Sequence, residues 1–272
     1  MNVTDVQRML AHAGYYKGGL DGDIGPKTMK AVEVIERTQA SQYPRGYKRW
    51  SKTRRVFASG QAMLNAWGFE AGSIDGYVGH NTKEAHAGWA YKQARGRRES
   101  VKRTPVPTSS GVGTRHIPRQ KDCPAFYGRT RAEVERQLVT ITLPFYFRID
   151  WNTRQKTNKL RVHKKCAAAF LAAWTEVFQH YGIGRMRELG IDRNAGTFNW
   201  RRMRGGSRLS MHSYGCAQDV YAQPNGLRMR CPQALFCSPA YKPFLDIMQK
   251  HGLLPAIRLW GADAMHFQMA RL

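Results

Sequence analysis

The stretch QRMLAHAGYYKGGLDGDIGPKTMKA (residues 7–31) returns 54 residues later as QAMLNAWGFEAGSIDGYVGHNTKEA (residues 61–85), and the two align without a gap. Glutamine, methionine, leucine, glycine, aspartate, threonine and alanine recur at matched positions. Chance does not explain so many identities in one register, and a fixed internal period is typical of repeated structural units. Residues 1–40 and about 54–95 are therefore predicted to be two copies of one small module.

Each copy has the pattern of a helix, a glycine-rich turn and a second helix. In the first copy Val6, Met9 and Leu10 fall on one helical face, and Gly14 is placed to end that helix. Pro26 suits the first turn of the helix that follows the glycine-rich turn. The sequence thus predicts a small all-α repeat domain over residues 1–95.

The composition of the chain favours a large anionic partner. Its 272 residues carry 44 Lys and Arg against 19 Asp and Glu, a net charge of +25 that is spread over the whole sequence. Such an excess suits nucleic acid, an anionic membrane surface or a bacterial wall, and an even spread favours diffuse attraction over one base-reading element. Hydrophobic residues make up 42% of the chain, which excludes a wholly disordered protein.

A change of composition separates the repeats from the rest of the chain. Residues 96–121 hold seven Lys or Arg, three prolines and almost no large apolar residue, and they are predicted to be a basic linker. Beyond it, residues 139–143 and 146–149 have the β-branched and aromatic character of strands, while residues 163–180 show helical spacing. An α+β domain is therefore expected over residues 122–272. The predicted fold has two parts, the small all-α repeat domain and this α+β domain.

The N-terminus and the cysteines bear on the compartment. MNVTDVQRML lacks a basic segment followed by an apolar run, so we expect synthesis in the cytoplasm without a signal peptide. The longest apolar stretch, residues 166–174, is far shorter than the roughly 20 residues of a membrane span. Five cysteines predict buried thiols more than a disulfide framework, with a structural metal site at Cys216, Cys231 and Cys237 as the alternative.

Two segments concentrate residues that bind metals, LSMHSYGCAQD (residues 209–219) and WGADAMHF (residues 260–267). A zinc peptidase needs about three His or carboxylate ligands, an open position for water and a nearby base. His212, Asp219 and His266 could be the ligands and Asp263 the base. By spacing alone the histidines could equally be hydrogen-bonded core residues, and His212 with Cys216 could form a thiol peptidase pair.

The pattern Ser210-x-His212-x-x-Gly215-x-Ala217-x-Asp219, with Asp263-x-x-His266, resembles the zinc peptidases grouped with VanY-type D-alanyl-D-alanine carboxypeptidases and phage L-alanyl-D-glutamate endopeptidases. This resemblance implies zinc bound by His212, Asp219 and His266, with Asp263 as general base. Cys216 and Gln218 depart from the residues usual at their positions, but neither is a proposed ligand.

The same resemblance implies a substrate-binding arginine ahead of the Ser-x-His motif. Arg201 is matched to the arginine that holds the substrate's carboxylate or the developing oxyanion, and Ser210 to a substrate contact. Arg202 and Arg204 lie close enough to be alternatives to Arg201.

The N-terminal repeats, for their part, resemble the peptidoglycan-binding repeat found beside cell-wall hydrolases, on Gly14, the Asp21-Gly22 turn and their counterparts. Gly14, Asp21, Gly68 and Asp75 are accordingly candidate contacts to peptidoglycan, although such glycines are first of all turn formers.

Together the two resemblances imply a modular cell-wall hydrolase, and the missing signal peptide favours a phage endolysin over a host enzyme. We expect a monomer whose partner is bacterial peptidoglycan and not a specific nucleic acid. We expect it to cleave an amide bond of the stem peptide. The L-alanyl-D-glutamate bond is the preferred hypothesis, and the D-alanyl-D-alanine bond is the alternative. It would act in the periplasm once the membrane is permeabilised. The rival hypothesis from another class is a non-catalytic wall- or nucleic-acid-binding protein whose metal is structural, and for such a closed site Asp263 would have no purpose.

Overall fold

The computed structural model describes residues 1–96, 117–204 and 206–272, which divide into two compact units, Met1–Ser100 and Val101–Leu272. Most of the predicted linker lies outside the described residues. No helix within the described residues is long and apolar enough to cross a membrane.

The described part of the first unit, residues 1–96, contains helices and no strand, and it shows the predicted duplication. Its helices are α1 (Val3–His12), α2 (Pro26–Thr38), α3 (Lys52–Ala66) and α4 (His80–Arg95). The ends of α1 and α3 and the starts of α2 and α4 are each 54 residues apart, as in the sequence alignment. Pro26 occupies the first turn of α2, where its missing N–H leaves no hydrogen bond unmade.

A buried glutamine organises each copy of the repeat. Gln7 accepts a hydrogen bond from the Gly22 N–H at 2.9 Å and donates to Asp21 Oδ1 at 2.8 Å and Thr28 Oγ1 at 3.2 Å. One amide side chain thereby joins the first helix, the turn and the second helix. The second copy makes the same bonds about Gln61, with partners Asp75, Gly76 and Thr82.

The second unit is a mixed six-stranded sheet with helices packed on it. Its larger helices are α7 (Lys164–Leu189) and α8 (Lys242–Lys250), and three short ones are α5 (Cys123–Tyr127), α6 (Arg131–Glu135) and α9 (Ala256–Leu259). The strands are β1 (Leu138–Ile149), β2 (Asn152–His163), β3 (Arg193–Gly196), β4 (Ala217–Val220), β5 (Leu254–Pro255) and β6 (His266–Gln268). Their order is β2-β1-β3-β4-β6-β5, and only the β1–β3 pair is parallel.

The core of this unit fixes the central strands. Trp174 of α7 is fully buried, lies edge-on to Phe147 of β1 at 4.7 Å, and donates from Nε1 to Gln218 Oε1 of β4 at 2.8 Å. Phe244 of α8 packs against Phe267 of β6 at 5.2 Å. The two helices therefore hold β4 and β6 in place from one side of the sheet.

Two expectations about elements need correction. Residues 139–143 and 146–149 belong to one continuous strand with an irregular register, and its partner β2 was not predicted at all. The predicted helix end at Gly182 is present, because Gly182 leaves the helical conformation at φ 65°, but a second helical segment then continues to Leu189.

Two further expectations are revised by contacts in the second unit. Ile117 is buried, and Arg119 forms a parallel bridge with Arg271, so residues 117–121 pack on the second unit although they were assigned to the linker. Cys231 and Cys237 form a disulfide, so neither is a thiol or a metal ligand. Cys123, Cys166 and Cys216 are the predicted buried thiols.

Candidate metal centre

The structure brings His212, Asp219 and His266 together as one buried cluster. His212 Nε2 lies 3.1 Å from Asp219 Oδ1 and 3.1 Å from His266 Nδ1, and His266 Nδ1 lies 2.9 Å from Asp219 Oδ1. Three potential ligand atoms from positions far apart in the sequence thus form a nearly equilateral triangle.

In each imidazole, the nitrogen that faces away from the cluster, here called the outward nitrogen, lies close to an oxygen acceptor. The other nitrogen, which faces the cluster, is called the inward nitrogen. His212 Nδ1 lies 2.6 Å from the Thr197 carbonyl oxygen, and His266 Nε2 lies 3.1 Å from Gln268 Oε1. Each acceptor fixes the tautomer in which the outward nitrogen carries the proton. The inward nitrogens of the neutral rings therefore present lone pairs to each other and to Asp219.

This donor set fits a metal cation. Three lone-pair atoms about 3 Å apart repel one another in a buried site unless positive charge lies between them. Two imidazole nitrogens and one carboxylate oxygen are a common ligand set of catalytic zinc, and ligands at 2.0–2.1 Å from a tetrahedral ion lie about 3.3 Å apart.

Local structure explains how the motif delivers its ligands. Ser210 precedes a 3-10 turn, and its hydroxyl accepts from the His212 N–H at 3.4 Å. Gly215 then adopts φ 64°, and a Cβ at that position would lie 2.9 Å from the His163 nitrogen. The chain turns there into β4, where Asp219 is paired with His266 of β6 in antiparallel register.

Asp263 is buried and lies in the tight turn that leads into β6. Its carbonyl accepts from the His266 N–H at 2.9 Å, and its φ of 61° is in the left-handed region that few residues other than glycine adopt. A residue whose backbone is held in such a conformation often serves a functional role. The proposed base and one proposed ligand are thus on one turn, and the role of Asp263 stays a prediction.

The Arg201 backbone is fastened to the turn that carries His212. Its N–H donates to Ser213 Oγ at 2.9 Å, and its carbonyl accepts from Ser213 Oγ at 2.6 Å and from the Ser210 N–H at 3.0 Å. Within the described part of the chain, its Nε is buried and has no hydrogen-bond partner. By contrast, Arg202 is exposed and donates to the Ser207 carbonyl in its own loop. These contacts favour Arg201 over Arg202 as the substrate-binding arginine, and this role of Arg201 remains a prediction.

The thiol alternative is disfavoured by the surroundings of Cys216. This thiol is fully buried, and its Sγ lies 3.4 Å from the Met211 carbonyl. Burial raises the pKa of Cys216 well above its usual range, whereas a nucleophilic cysteine needs a lowered one.

The four candidate peptidoglycan contacts of the repeats occupy turns. Gly14 and Gly68 have φ of 80° and 74° after the first helix of each copy, which accounts for glycine at both positions. Asp21 and Asp75 each accept a hydrogen bond from the buried glutamine of their own copy. All four therefore have a structural role, and direct contact with peptidoglycan stays a prediction.

Two residues that orient the ligands were not found from the sequence. Thr197 acts through its backbone carbonyl, which any residue would supply, so it leaves no sequence signal. Gln268 does leave one, because it follows His266 by two positions on a strand and so shares its face.

Comparison with known proteins supports the N-terminal assignment. Residues 2–39 match the family model described as a putative peptidoglycan binding domain. No curated protein and no solved structure matches the chain. The chain therefore has a helical N-terminal region with a peptidoglycan-binding domain, followed by a mixed α/β domain whose buried His-Asp-His group could hold a metal ion.

Proposed function

We propose that the protein is a zinc-dependent peptidoglycan hydrolase that cleaves an amide bond of the stem peptide. The observation that carries this proposal is the triangle of His212, Asp219 and His266, whose inward atoms are acceptors and whose outward nitrogens are fixed by oxygen partners. The peptidoglycan-binding domain at residues 2–39 supplies the substrate class.

Zinc, when bound by these three residues, supplies a Lewis acid that polarises the scissile carbonyl and acidifies a water. Asp263 is the proposed base that takes a proton from the attacking water and returns it to the leaving amine. Its burial beside the ligand turn excludes bulk water from this proton transfer.

Arg201 is the residue that we propose binds the negative charge of the substrate or of the transition state. A guanidinium presents several donors in a fixed fork, which suits either a carboxylate of the stem peptide or the oxygen of the tetrahedral transition state. The backbone bonds of Arg201 to Ser210 and Ser213 couple its position to that of His212. A structural metal site would need neither the arginine nor Asp263.

The bond we propose first is L-alanyl-D-glutamate, with D-alanyl-D-alanine as the alternative, following the resemblance of the Ser210–Asp219 motif to both groups of enzymes. The repeats would act by holding the enzyme on the wall, which raises its effective concentration near scissile bonds. The modular layout is that of a phage endolysin, and the proposed place of action is the host cell wall.

Metal removal tests the proposal. Chelation of the full-length protein should abolish lysis of purified sacculi, and added Zn²⁺ should restore it. His212→Ala and His266→Ala should lose both zinc and lysis, whereas His251→Ala, which removes a histidine bonded to Glu176, should keep both. Full lysis by a protein shown to be metal-free would refute the proposal.

A further inference from the structure

The edge strand β2 carries positive charge without compensation. From Trp151 to Lys165 the sequence WNTRQKTNKLRVHKK holds six Lys or Arg and no acidic residue. Arg154, Lys156, Lys159 and Arg161 are exposed, and in the part of the chain that the structure describes no carboxylate lies within ion-pair distance of them. We call these four residues the cationic strand.

The cationic strand is joined to the segment that orients a proposed metal ligand. Thr197 Oγ1 donates to the Arg161 carbonyl at 2.8 Å, and the Thr197 carbonyl is the acceptor for His212 Nδ1. The Asn199 N–H then donates to the His212 carbonyl at 3.2 Å. One short segment, residues 197–199, therefore contacts both Arg161 and His212.

The Arg161 side chain has a defined position on this segment. Its guanidinium carbon lies 5.3 Å from the centre of the Phe198 ring, while the side chain remains exposed. Stacking on an aromatic ring restricts an arginine without using its hydrogen-bond donors. Arg161 is therefore a partly ordered cation with its donors available, next to the segment that holds His212.

Protection of the sheet edge does not account for all of this. Charged residues on an edge strand discourage pairing with other chains, and Lys156 or Lys159 would serve that purpose anywhere along β2. Stacking of Arg161 on Phe198 adds nothing to edge protection. It does place a cation beside residues 197–199, the segment that orients His212.

We infer that the cationic strand binds carboxylates of an acidic peptide substrate, and that Arg161 determines the preference for acidic over amidated peptides. The inference rests on the proposed function and deepens it, because stem peptides carry free carboxylates beside their scissile bonds. A charge-assisted hydrogen bond to a carboxylate gives both affinity and orientation. The occupant we propose is an acidic peptide, and a phosphate polymer is the competing ligand that the test below separates from it.

Two synthetic stem tetrapeptides of one sequence test the inference, one with free carboxylates and one with amidated carboxylates. Hydrolysis kinetics are measured on the full-length, zinc-loaded protein and on Arg161→Gln. Equilibrium binding is measured by calorimetry on the same two proteins with Asp263→Asn added, so that the peptide is not consumed during the titration. KM and Kd for the free-carboxylate peptide should rise about tenfold, which is about 1.4 kcal/mol, with kcat within about twofold. Both constants for the amidated peptide should stay unchanged.

A matched control removes an equally exposed cation of the same unit. Lys121→Gln loses one charge outside the cationic strand, and it should leave both peptides unaffected. Arg161→Lys keeps the charge and should recover part of the affinity for the acidic peptide. Thermal melting of all variants confirms that each is folded.

The outcomes separate this inference from the proposed function. Equal effects of Arg161→Gln on both peptides, or no effect on either, would overturn it. So would binding of sodium polyphosphate that depends on Arg161 while peptide binding does not. If wild type binds the acidic peptide through Arg161 but hydrolyses neither peptide, the inference stands and the proposed function fails.

Discussion

Gln268 offers the sharpest test of how the metal centre is held. Its Oε1 is the acceptor for His266 Nε2 at 3.1 Å, and its Nε2 donates to the Ala270 carbonyl at 2.6 Å. Gln268→Leu would put an apolar side chain of similar size in place of the amide and so remove the acceptor. His266 would then be free to adopt the other tautomer, in which a proton and not a lone pair faces the metal position.

The expected loss follows from the energies of such contacts. Removing an outer partner of a metal-binding histidine typically lowers metal affinity about 10- to 100-fold, which corresponds to about 1.4–2.7 kcal/mol. Two buried polar groups, the His266 N–H and the Ala270 carbonyl, also lose their partner, at about 1–3 kcal/mol of folding stability each. Zinc affinity is measured by competition with a chromophoric chelator, and stability by denaturant unfolding of the zinc-free protein.

Gln218→Leu is the matched control for this substitution. Gln218 is another fully buried glutamine of the same sheet, but it bonds to Trp174 and Asn194 and to neither histidine. It should lose stability by a similar amount while keeping the wild-type zinc affinity. Unchanged zinc affinity in Gln268→Leu, or an equal loss in both variants, would refute the reasoning.

Four other predictions follow from the same contacts. Asp263→Asn tolerates the left-handed conformation and should keep zinc while losing activity at least 100-fold; loss of zinc, measured by elemental analysis, would make Asp263 a ligand. Arg201→Lys should lower kcat/KM at least tenfold with zinc content unchanged, and a wild-type rate would move the role to a neighbouring arginine. Gln61→Leu should destabilise the second repeat by about 1–3 kcal/mol in thermal unfolding, and an unchanged melting curve would contradict the assigned network. The pKa of Glu176 is lowered chiefly by its hydrogen bond with Lys250. Ionised Glu176 therefore stabilises the fold at pH values above the usual carboxyl pKa, and this stabilisation is lost as the pH falls through the lowered pKa. In Glu176→Gln the free energy of unfolding should vary less with pH in that range.

The repeats were predictable because their signal is local and occurs twice. Gln7 and Gln61 each bond to a turn and a helix within about twenty residues, so a shift of the sequence against itself exposes the whole network. The positive φ of Gly14 follows from the same alignment, since glycine is kept in both copies.

Strand β2 was not predictable from hydrophobic periodicity. As an edge strand it is exposed over the first four residues after Asn152, and its sequence there is polar and basic, without the alternation of a half-buried strand. Its position is set by pairing with β1, a contact that the sequence pattern does not record. The disulfide between Cys231 and Cys237 was missed because few cysteines in a chain of this size argue against one.

The ligands of the candidate site were predictable from resemblance, and their orientation was not. His212, Asp219 and His266 are in the motif, but the Thr197 carbonyl that orients His212 comes from a segment between β3 and the 3-10 turn. Such backbone partners depend on the path of the chain and not on residue type. The structure was therefore needed to show that the inward atoms of the cluster are all acceptors.

The products released from purified peptidoglycan test the central claim most directly. Sacculi are digested with the full-length protein, once zinc-loaded and once demetallated, and the new chain ends are identified by mass spectrometry. New N-terminal D-glutamate, or free D-alanine for the alternative bond, released only by the zinc-loaded protein, is the predicted result. New reducing sugar ends, or the same peptide products from the demetallated protein, would contradict it.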